Sequence, residues 1–203
     1  MLTLYDFLSS GNGYKVRLLL TQLGLPFRYV DVDVIAGETR QPDYLAVNRN
    51  GRIPALRFED GRILSESNAI LFHMARGSAL LPDDPWQQAQ VLQWMFFEQY
   101  DHEPNVAVAR FWLHLQDPEP YRDQLPEKHE KGYRALGVME ARLAEAPYLV
   151  GESYSVADIA LYAYTHVCDE GGFDLADYPA IRAWLARVAD QPDHILITQS
   201  TFD

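Results

Sequence analysis

A short polar segment near the start of the chain has residue types that can stabilise a reactive anion. Residues 8–15 read Leu-Ser-Ser-Gly-Asn-Gly-Tyr-Lys and lie between a strand pattern and a helix pattern. Small residues at the carboxyl end of a strand expose backbone amides and hydroxyls, at the place where open α/β sheets bind ligands. A hydroxyl that donates to a thiolate lowers the pKa of the thiol. The segment has neither a histidine nor an acid to activate a serine, so serine-hydrolase chemistry is not expected, and the same residues also suit an ordinary turn and helix cap.

A second segment, residues 64–70, runs from a strand end into a helix and reads Leu-Ser-Glu-Ser-Asn-Ala-Ile. Backbone N–H groups at a helix N-terminus bind anions, so Ser67 is suited to a carboxylate, and Glu66 is suited to an ammonium beside it. Together they match the zwitterionic end of an amino acid. The alternative is plain N-capping by Ser65 or Ser67, with Glu66 favourable at the helix dipole.

The turn before the third predicted strand reads Asn-Gly-Arg-Ile-Pro over residues 50–54. Pro54 forces Ile53 into an extended conformation. If the bond between them is cis, the Ile53 N–H and C=O lie outside the sheet and can pair with an extended peptide as an added strand. The alternative is an ordinary loop proline, because only about 5–6% of X-Pro bonds in folded proteins are cis.

The elements that position these segments alternate between strand and helix patterns over the first 77 residues. Apolar residues recur on one face of a helix that begins after a polar turn at 8–13 and that Gly24 ends. The Asp-Gly pair at 60–61 marks a hairpin turn. The remaining predicted elements are strands at 2–6, 27–34, 55–58 and 63–64, and helices at 42–47 and 67–75. This order predicts a mixed sheet covered by helices.

The second part of the chain has a helical pattern throughout. Residues 78–86 contain two prolines and predict a linker, and no convincing strand pair follows. We expect Pro104 to kink or interrupt the first long helix, and Ser155 and Asp158 to form a capping box that opens a later one. The predicted helices are 87–115, 127–144, 155–167 and 179–189.

Composition excludes several classes of protein. The 203 residues include 17 Lys and Arg against 29 Asp and Glu, and the resulting net charge of −12 disfavours a nucleic-acid partner. No apolar run approaches the ~18 residues of a transmembrane helix, and the N-terminus lacks the pattern of a signal peptide. The single cysteine, Cys168, excludes an internal disulfide, and no ligand set around it has the spacing of a metal site. We therefore expect a cytoplasmic protein with no metal and no membrane partner.

The three polar segments, in this order and with this spacing, resemble the glutathione transferase family, in particular its bacterial, serine-type or nu- and zeta-like members. Residues 48–56 and 64–70, together with Gly-Glu-Ser-Tyr-Ser-Val-Ala-Asp-Ile-Ala at 151–160, carry most of the resemblance. The resemblance implies a thioredoxin-like N-terminal domain of βαβαββα order at 1–77, which binds glutathione. It also implies a linker at 78–86 and an all-helical C-terminal domain at 87–203, which carries the pocket for an electrophile.

The resemblance also assigns residues to the binding of glutathione. Pro54 matches the family's cis-proline, and Ile53 matches the residue whose backbone pairs with the cysteinyl part. Glu66 and Ser67 match the pair that holds the γ-glutamyl end.

The remaining assignments concern the glycyl carboxylate and the thiolate. Arg40 and Arg52 lie where related classes place cationic or amide side chains near the glycyl carboxylate. Ser10 and Asn12 lie where these classes place the residue that stabilises the thiolate, and the resemblance leaves both as catalytic candidates. Gly13 is a departure, because several bacterial relatives have a cysteine there, and this disfavours a mixed disulfide between the protein and glutathione.

The expected activity is conjugation of the glutathione thiolate to a small hydrophobic electrophile by a homodimer, with glutathione as co-substrate. An aromatic-rich stretch at 94–112 suits the electrophile pocket, the core or the dimer interface, and Arg110 near Asn105 suits an anionic substrate. The first alternative is glutathione-dependent reduction of disulfides or peroxides, because Asn12-Gly13 resembles the nu-like members. The second is a non-catalytic binding protein with a transferase-like fold.

Overall fold

The structure, a computed structural model, describes residues 1–200 of the chain. These residues form two compact units, one made of residues 1–78 with the segment from 192 onward, and the other of residues 79–191. The predicted boundaries at residues 77 and 87 stay predictions.

The first unit contains a four-stranded mixed sheet in the order β2-β1-β3-β4. β1 pairs in parallel with β2, with Leu4 opposite Tyr29, and antiparallel with β3, with Leu4 opposite Leu56. β3 and β4 form the hairpin that the Asp-Gly turn predicts. The bounds are β1 Leu2–Asp6, α1 Gly11–Gln22, β2 Phe27–Asp31, α2 Pro42–Leu45, β3 Ala55–Arg57, β4 Ile63–Ser65 and α3 Ser67–Met74.

The core of this unit lies between the sheet and α1 with α3. Its fully buried members are the aliphatic side chains Leu4, Val16, Leu20, Leu56 and Ile70. The βαβαββα order and the mixed sheet are those of a thioredoxin-like domain, and the prediction of this fold is confirmed.

Two boundaries in this unit differ from the prediction by about three residues, and several others differ by one or two. α1 begins at Gly11, inside the stretch predicted to be a turn, because the Ser10 hydroxyl accepts a hydrogen bond from the Gly13 amide and caps the first turn. β2 ends at Asp31 and does not reach Val34. The chain turns there because the Asp33 carboxylate accepts from the Ala36 N–H at 2.8 Å, which is a local alternative to the sheet ladder.

The segment 192–200 is fixed to α1 by side chains of that helix. The Tyr14 hydroxyl donates to the Ile195 carbonyl at 2.7 Å, and Arg17 Nη1 donates to the Ile197 carbonyl at 2.9 Å. These bonds explain why residues 192–200 belong to the first unit.

The second unit is all-helical among its described residues. Its first long helical stretch is interrupted, as Pro104 predicts, and the interruption takes the form of a π-helical turn at Glu98–His102 with Pro104 in the first turn of the helix that follows. A second π-helical turn covers Phe111–Leu115. The α-helices are α4 Pro85–Phe97, α5 Glu103–Arg110, α6 Leu125–Glu145, α7 Val156–Thr165 and α8 Pro179–Ala189.

The capping box at the start of α7 is present and extends to α8. Asp158 accepts from the Ser155 amide at 2.9 Å and from the Leu149 amide at 3.0 Å. It also accepts from the Trp184 indole N–H at 2.9 Å. Asp158 therefore ties a loop and two helices to one buried carboxylate. In the described part of the chain, no helix is long and apolar enough to span a bilayer.

Candidate functional site

The structure brings together two predicted segments that lie far apart in the sequence. Asn12 is in the first turn of α1, after β1, and Ser67 is the first residue of α3, after β4. The Ser67 hydroxyl donates to Asn12 Oδ1 at 3.2 Å. β1 and β4 are both antiparallel to β3, so they run in the same direction and their carboxyl ends lie at the same end of the sheet. The helices that follow these two strands therefore begin close together.

Lys15 joins these two residues and was not predicted from the sequence. Its fully buried side chain donates from Nζ to Asn12 Oδ1 at 2.8 Å and to Ser67 Oγ at 3.4 Å. The signal was its position, since a lysine three residues after Asn12 lies on the same face of α1.

Ser10 has a structural role that is visible in the geometry. Its Oγ accepts from the Gly13 amide at 3.4 Å, and its own backbone is extended, as at a helix N-cap. This use of a lone pair leaves the hydroxyl proton for a further acceptor. Ser10 and Asn12 thus remain the two candidates for stabilising a thiolate.

Gly13 is required by the neighbouring carboxylate of Asp6. A Cβ at position 13 would lie 1.4 Å from Asp6 Oδ1. That oxygen accepts from the Phe7 amide at 2.7 Å, and Asp6 Oδ2 accepts from Arg17 Nε at 2.9 Å in a pair with both side chains fully buried. Burial raises the pKa of Asp6 to about 7, although Arg17 and the Phe7 amide act in the opposite direction. The absence of a cysteine at this position therefore has a physical reason.

Glu66 precedes α3 in a backbone conformation that is unfavourable for its residue type. Its φ is +71°, in the left-handed region, while its side chain is exposed and Ser67 beside it is buried. Strain of this kind costs about 1–3 kcal/mol and concentrates at ligand sites. The turn places the Glu66 carboxylate and the Ser67 amide at the same helix N-terminus.

The Ile53–Pro54 peptide bond is cis. Among the described residues, the Ile53 backbone makes no hydrogen bond to another backbone group. The preceding carbonyl, that of Arg52, accepts from the Tyr44 hydroxyl at 2.8 Å and from Asn48 Nδ2 at 2.7 Å. Tyr44 and Asn48, whose roles were not predicted from the sequence, therefore fix the turn that precedes Ile53.

Arg40 and Arg52 are both exposed, and neither forms an ion pair within the described residues. Arg40 Nη1 donates to the Asn50 carbonyl at 3.1 Å, so its guanidinium lies beside the turn that contains Arg52. Gly51 permits this approach, because its φ is +60° and a Cβ there would lie 2.5 Å from Arg40 Nη1. Two cationic side chains thus flank the same turn.

Tyr14 is unsuited to activating a thiol, and Tyr5 packs against another ring. The Tyr14 ring is fully buried and its hydroxyl is bonded to the Ile195 carbonyl and to His194. Tyr5 lies in β1 with its ring against Tyr44 in an edge-to-face contact at 6.3 Å.

In the second unit, Arg110 is buried and paired. Its Nε lies 2.6 Å from Glu170 Oε2, so its charge is balanced within the unit, which argues against the predicted preference for an anionic substrate. His102 is also buried and contacts the Thr165 hydroxyl at 3.0 Å. Burial raises the pKa of Cys168 to about 12, as expected for a small core residue. Within residues 1–200, no three His, Cys, Asp or Glu side chains cluster in a way that can hold a metal ion.

Comparison with known proteins places this site in a family. Residues 1–76 match the N-terminal domain of glutathione S-transferases, and residues 94–192 match the C-terminal domain. A glutathione S-transferase from Pseudomonas fluorescens, known from its crystal structure, is 53% identical in sequence to this chain. The two structures superpose with a TM-score of 0.95, and the match covers 98% of this chain and 99% of the other.

Two further relatives are more distant. The disulfide-bond oxidoreductase YfcG of Escherichia coli is 31% identical over 199 residues, which cover 95% of this chain and 92% of YfcG. A glutathione transferase homologue from Sulfitobacter, solved with bound glutathione, is 29% identical, with a TM-score of 0.81 and coverage of 95% and 94%. With both domains matched, a shared fold and more than half of its residues identical to one relative, the chain belongs to the glutathione S-transferase family.

Proposed function

We propose that this protein binds glutathione, activates its thiol beside Asn12, and conjugates the thiolate to a hydrophobic electrophile. The observation that carries the proposal is the 3.2 Å contact between Asn12 Oδ1 and Ser67 Oγ. It joins the segment suited to a thiolate with the segment suited to the zwitterionic end of an amino acid, although 55 residues separate them. The glutathione complex of the Sulfitobacter homologue supports the choice of ligand.

Each part of glutathione has a complementary group in this arrangement. The Ser67 amide receives the γ-glutamyl carboxylate at a helix N-terminus, and Glu66 receives the adjacent ammonium. The cysteinyl backbone adds as an extended strand at Ile53, next to the cis bond to Pro54. Arg40 and Arg52 provide positive charge for the glycyl carboxylate.

Conjugation requires little chemistry from the protein. Loss of the thiol proton to solvent gives a thiolate, which attacks an electrophilic carbon. A carbon–sulfur bond forms while the bond to the leaving group breaks, and the leaving group departs with the electron pair. The protein contributes proximity and donors that stabilise the thiolate.

The test is glutathione conjugation to a chloronitroaromatic by wild type and by Asn12→Ala and Ser10→Ala. We expect Asn12→Ala to lower kcat/KM by at least ~10², the usual effect of removing one donor to a reacting anion. We expect Ser10→Ala to lower stability by about 1 kcal/mol through the lost helix cap. Tyr14→Phe is the matched control, because its hydroxyl is bonded to the Ile195 carbonyl and should not affect kcat/KM. A larger loss in Ser10→Ala than in Asn12→Ala would transfer the catalytic role to Ser10.

Glutathione-dependent disulfide reduction is the second candidate, supported by the 31% identity to a disulfide-bond oxidoreductase. One glutathione thiolate attacks the disulfide and expels a thiolate, which takes up a proton. A second glutathione thiolate then attacks the glutathione sulfur of the mixed disulfide and expels the other half of the substrate as a thiolate, which takes up a proton, so that oxidised glutathione and two thiols are released. Faster turnover of hydroxyethyl disulfide than of every electrophile tried would make this the main activity.

The non-catalytic alternative is separated from both by calorimetric titration with glutathione. A transferase-like fold retained for another purpose would bind glutathione weakly or not at all. Saturable binding that Glu66→Ala weakens supports the enzymatic proposals.

We also propose a homodimer, because α4 and the π-helical turn after it expose aromatic side chains on one face. Phe96 is 70% exposed and Tyr100, one turn later, is 84% exposed. With a net charge of −12 on each chain, association has to come from apolar burial. Sedimentation should show a dimer that added salt does not dissociate and that Phe96→Glu disrupts. A ~23 kDa species for wild type at micromolar concentration would contradict the proposal.

A further inference from the structure

Lys15 contacts the proposed glutathione site but has no role in the function proposed above. Its side chain is fully buried, in contrast to the usual exposure of lysine. Its Nζ lies 2.8 Å from Asn12 Oδ1 and 3.4 Å from Ser67 Oγ. A buried cation is costly to desolvate, so its contacts with this pair of residues call for a functional explanation.

The contact determines the orientation of the Asn12 amide. An ammonium has three N–H donors and no acceptor, so the Asn12 atom beside it has to be the carbonyl oxygen. Ser67 Oγ donates to the same oxygen at 3.2 Å. If the amide were rotated by 180°, its NH₂ would face the ammonium of Lys15, and the buried ammonium would lose this acceptor. Two donors therefore hold Oδ1, and the NH₂ group is kept at the opposite end of the planar amide.

We propose that Lys15 is a positioning residue that orients Asn12 so that Nδ2 donates to the thiolate of glutathione. The inference rests on the proposed function and goes beyond it by naming what makes Asn12 a donor toward sulfur. Asparagine has an acceptor end as well as a donor end, and the acceptor end would repel a thiolate. Lys15 selects the donor end.

The test is the pKa of the glutathione thiol in its complex with the protein. This pKa is obtained from the ultraviolet absorbance of the thiolate during a pH titration. Wild type should lower this pKa below that of free glutathione. Lys15→Met, which keeps a long side chain without donors, should raise it by about one unit, a tenfold loss of thiolate at a given pH below the pKa. Lys128→Met is the control, because this lysine donates to the Pro104 carbonyl in the second unit and its loss should leave the thiol pKa unchanged.

A double-mutant cycle separates positioning from a direct effect of charge. In an Asn12→Ala background, Lys15→Met should shift the thiol pKa by less than about 0.3 units, because no amide remains to be oriented. A shift as large as in the wild-type background would overturn the proposal, since the charge of Lys15 would then act on the thiolate by itself.

The remaining outcomes are also decisive. An unchanged thiol pKa in Lys15→Met would show a merely structural role. If Lys15→Met does not fold, Lys15→Gln replaces it, because the glutamine amide N–H is a donor on a shorter side chain. The Lys15→Gln variant should give a thiol pKa between those of wild type and Asn12→Ala. A Lys15→Gln shift of the thiol pKa that persists in full in the Asn12→Ala background would overturn the proposal. Failure of wild type itself to bind glutathione or lower its thiol pKa would refute the proposed function and this inference with it.

Discussion

Gly13→Ala tests the interpretation that the first turn of α1 is built around a buried carboxylate. By helix propensity alone this change inside α1 should stabilise the protein by about 1 kcal/mol. The new Cβ, however, would lie 1.4 Å from Asp6 Oδ1 and 2.0 Å from Asp6 Cγ. The carboxylate would have to move by about 2 Å to reach an ordinary van der Waals contact of 3.4 Å or more.

A displacement of that size breaks both contacts of the Asp6 carboxylate. Those contacts are the 2.7 Å bond from the Phe7 amide and the 2.9 Å pair with Arg17, in which both side chains are fully buried. Disrupting a buried ion pair costs about 3–5 kcal/mol, which exceeds the gain in helix propensity. We expect Gly13→Ala to lower the free energy of unfolding by about 2–4 kcal/mol. Gly13→Cys introduces the same Cβ and should be destabilised in the same way.

The assay is urea unfolding followed by circular dichroism, with Gly137→Ala as the matched control. Gly137 lies inside α6 and is exposed, and a Cβ added there would have no neighbouring atom within 4 Å, so the same substitution should stabilise by about 0.5–1 kcal/mol. Opposite signs for the two variants are the expected result. A Gly13→Ala variant within about 0.5 kcal/mol of wild type would refute the reasoning, because the clash would then be relieved without loss of the buried pair.

Three other predictions concern strain, protonation and capping. Glu66→Gly should be more stable than Glu66→Ala by about 1 kcal/mol in thermal unfolding, because only glycine relieves the φ of +71°, while calorimetry should show the same loss of glutathione affinity in both. Burial raises the pKa of Asp6 to about 7 and that of Asp158 to about 6, above the ~3.9 of an unfolded chain. The folded state thus holds extra protons between about pH 4 and 7, so the free energy of unfolding should fall as pH rises through this range, and Asp6→Asn should remove the part of the fall between pH 6 and 7. Asp158→Ala should cost about 3–5 kcal/mol in urea unfolding, because the Ser155 and Leu149 amides and the Trp184 indole lose their acceptor; a cost below 1 kcal/mol would mean that other acceptors replace it.

Local rules predicted most of the elements correctly. The apolar face of α1, the Asp-Gly hairpin and the Ser155–Asp158 capping box depend on neighbours within a few residues, and all are present. α8 has the predicted bounds of Pro179–Ala189. Boundaries were less accurate where a side chain formed a local hydrogen bond, as Ser10 does at the start of α1.

The sequence by itself determined the fold class and the residue types of the polar segments at 8–15, 50–54 and 64–70, because alternation, turn residues and caps are properties of consecutive residues. Only the tertiary structure brought Asn12 to Ser67, and only it showed Lys15 buried against both. The same is true of Gly13, whose requirement depends on a carboxylate seven residues earlier that the sheet and Arg17 hold in place. These contacts depend on how β1, β3 and β4 align in the sheet, and hydrogen bonds between strands that are distant in sequence fix that alignment.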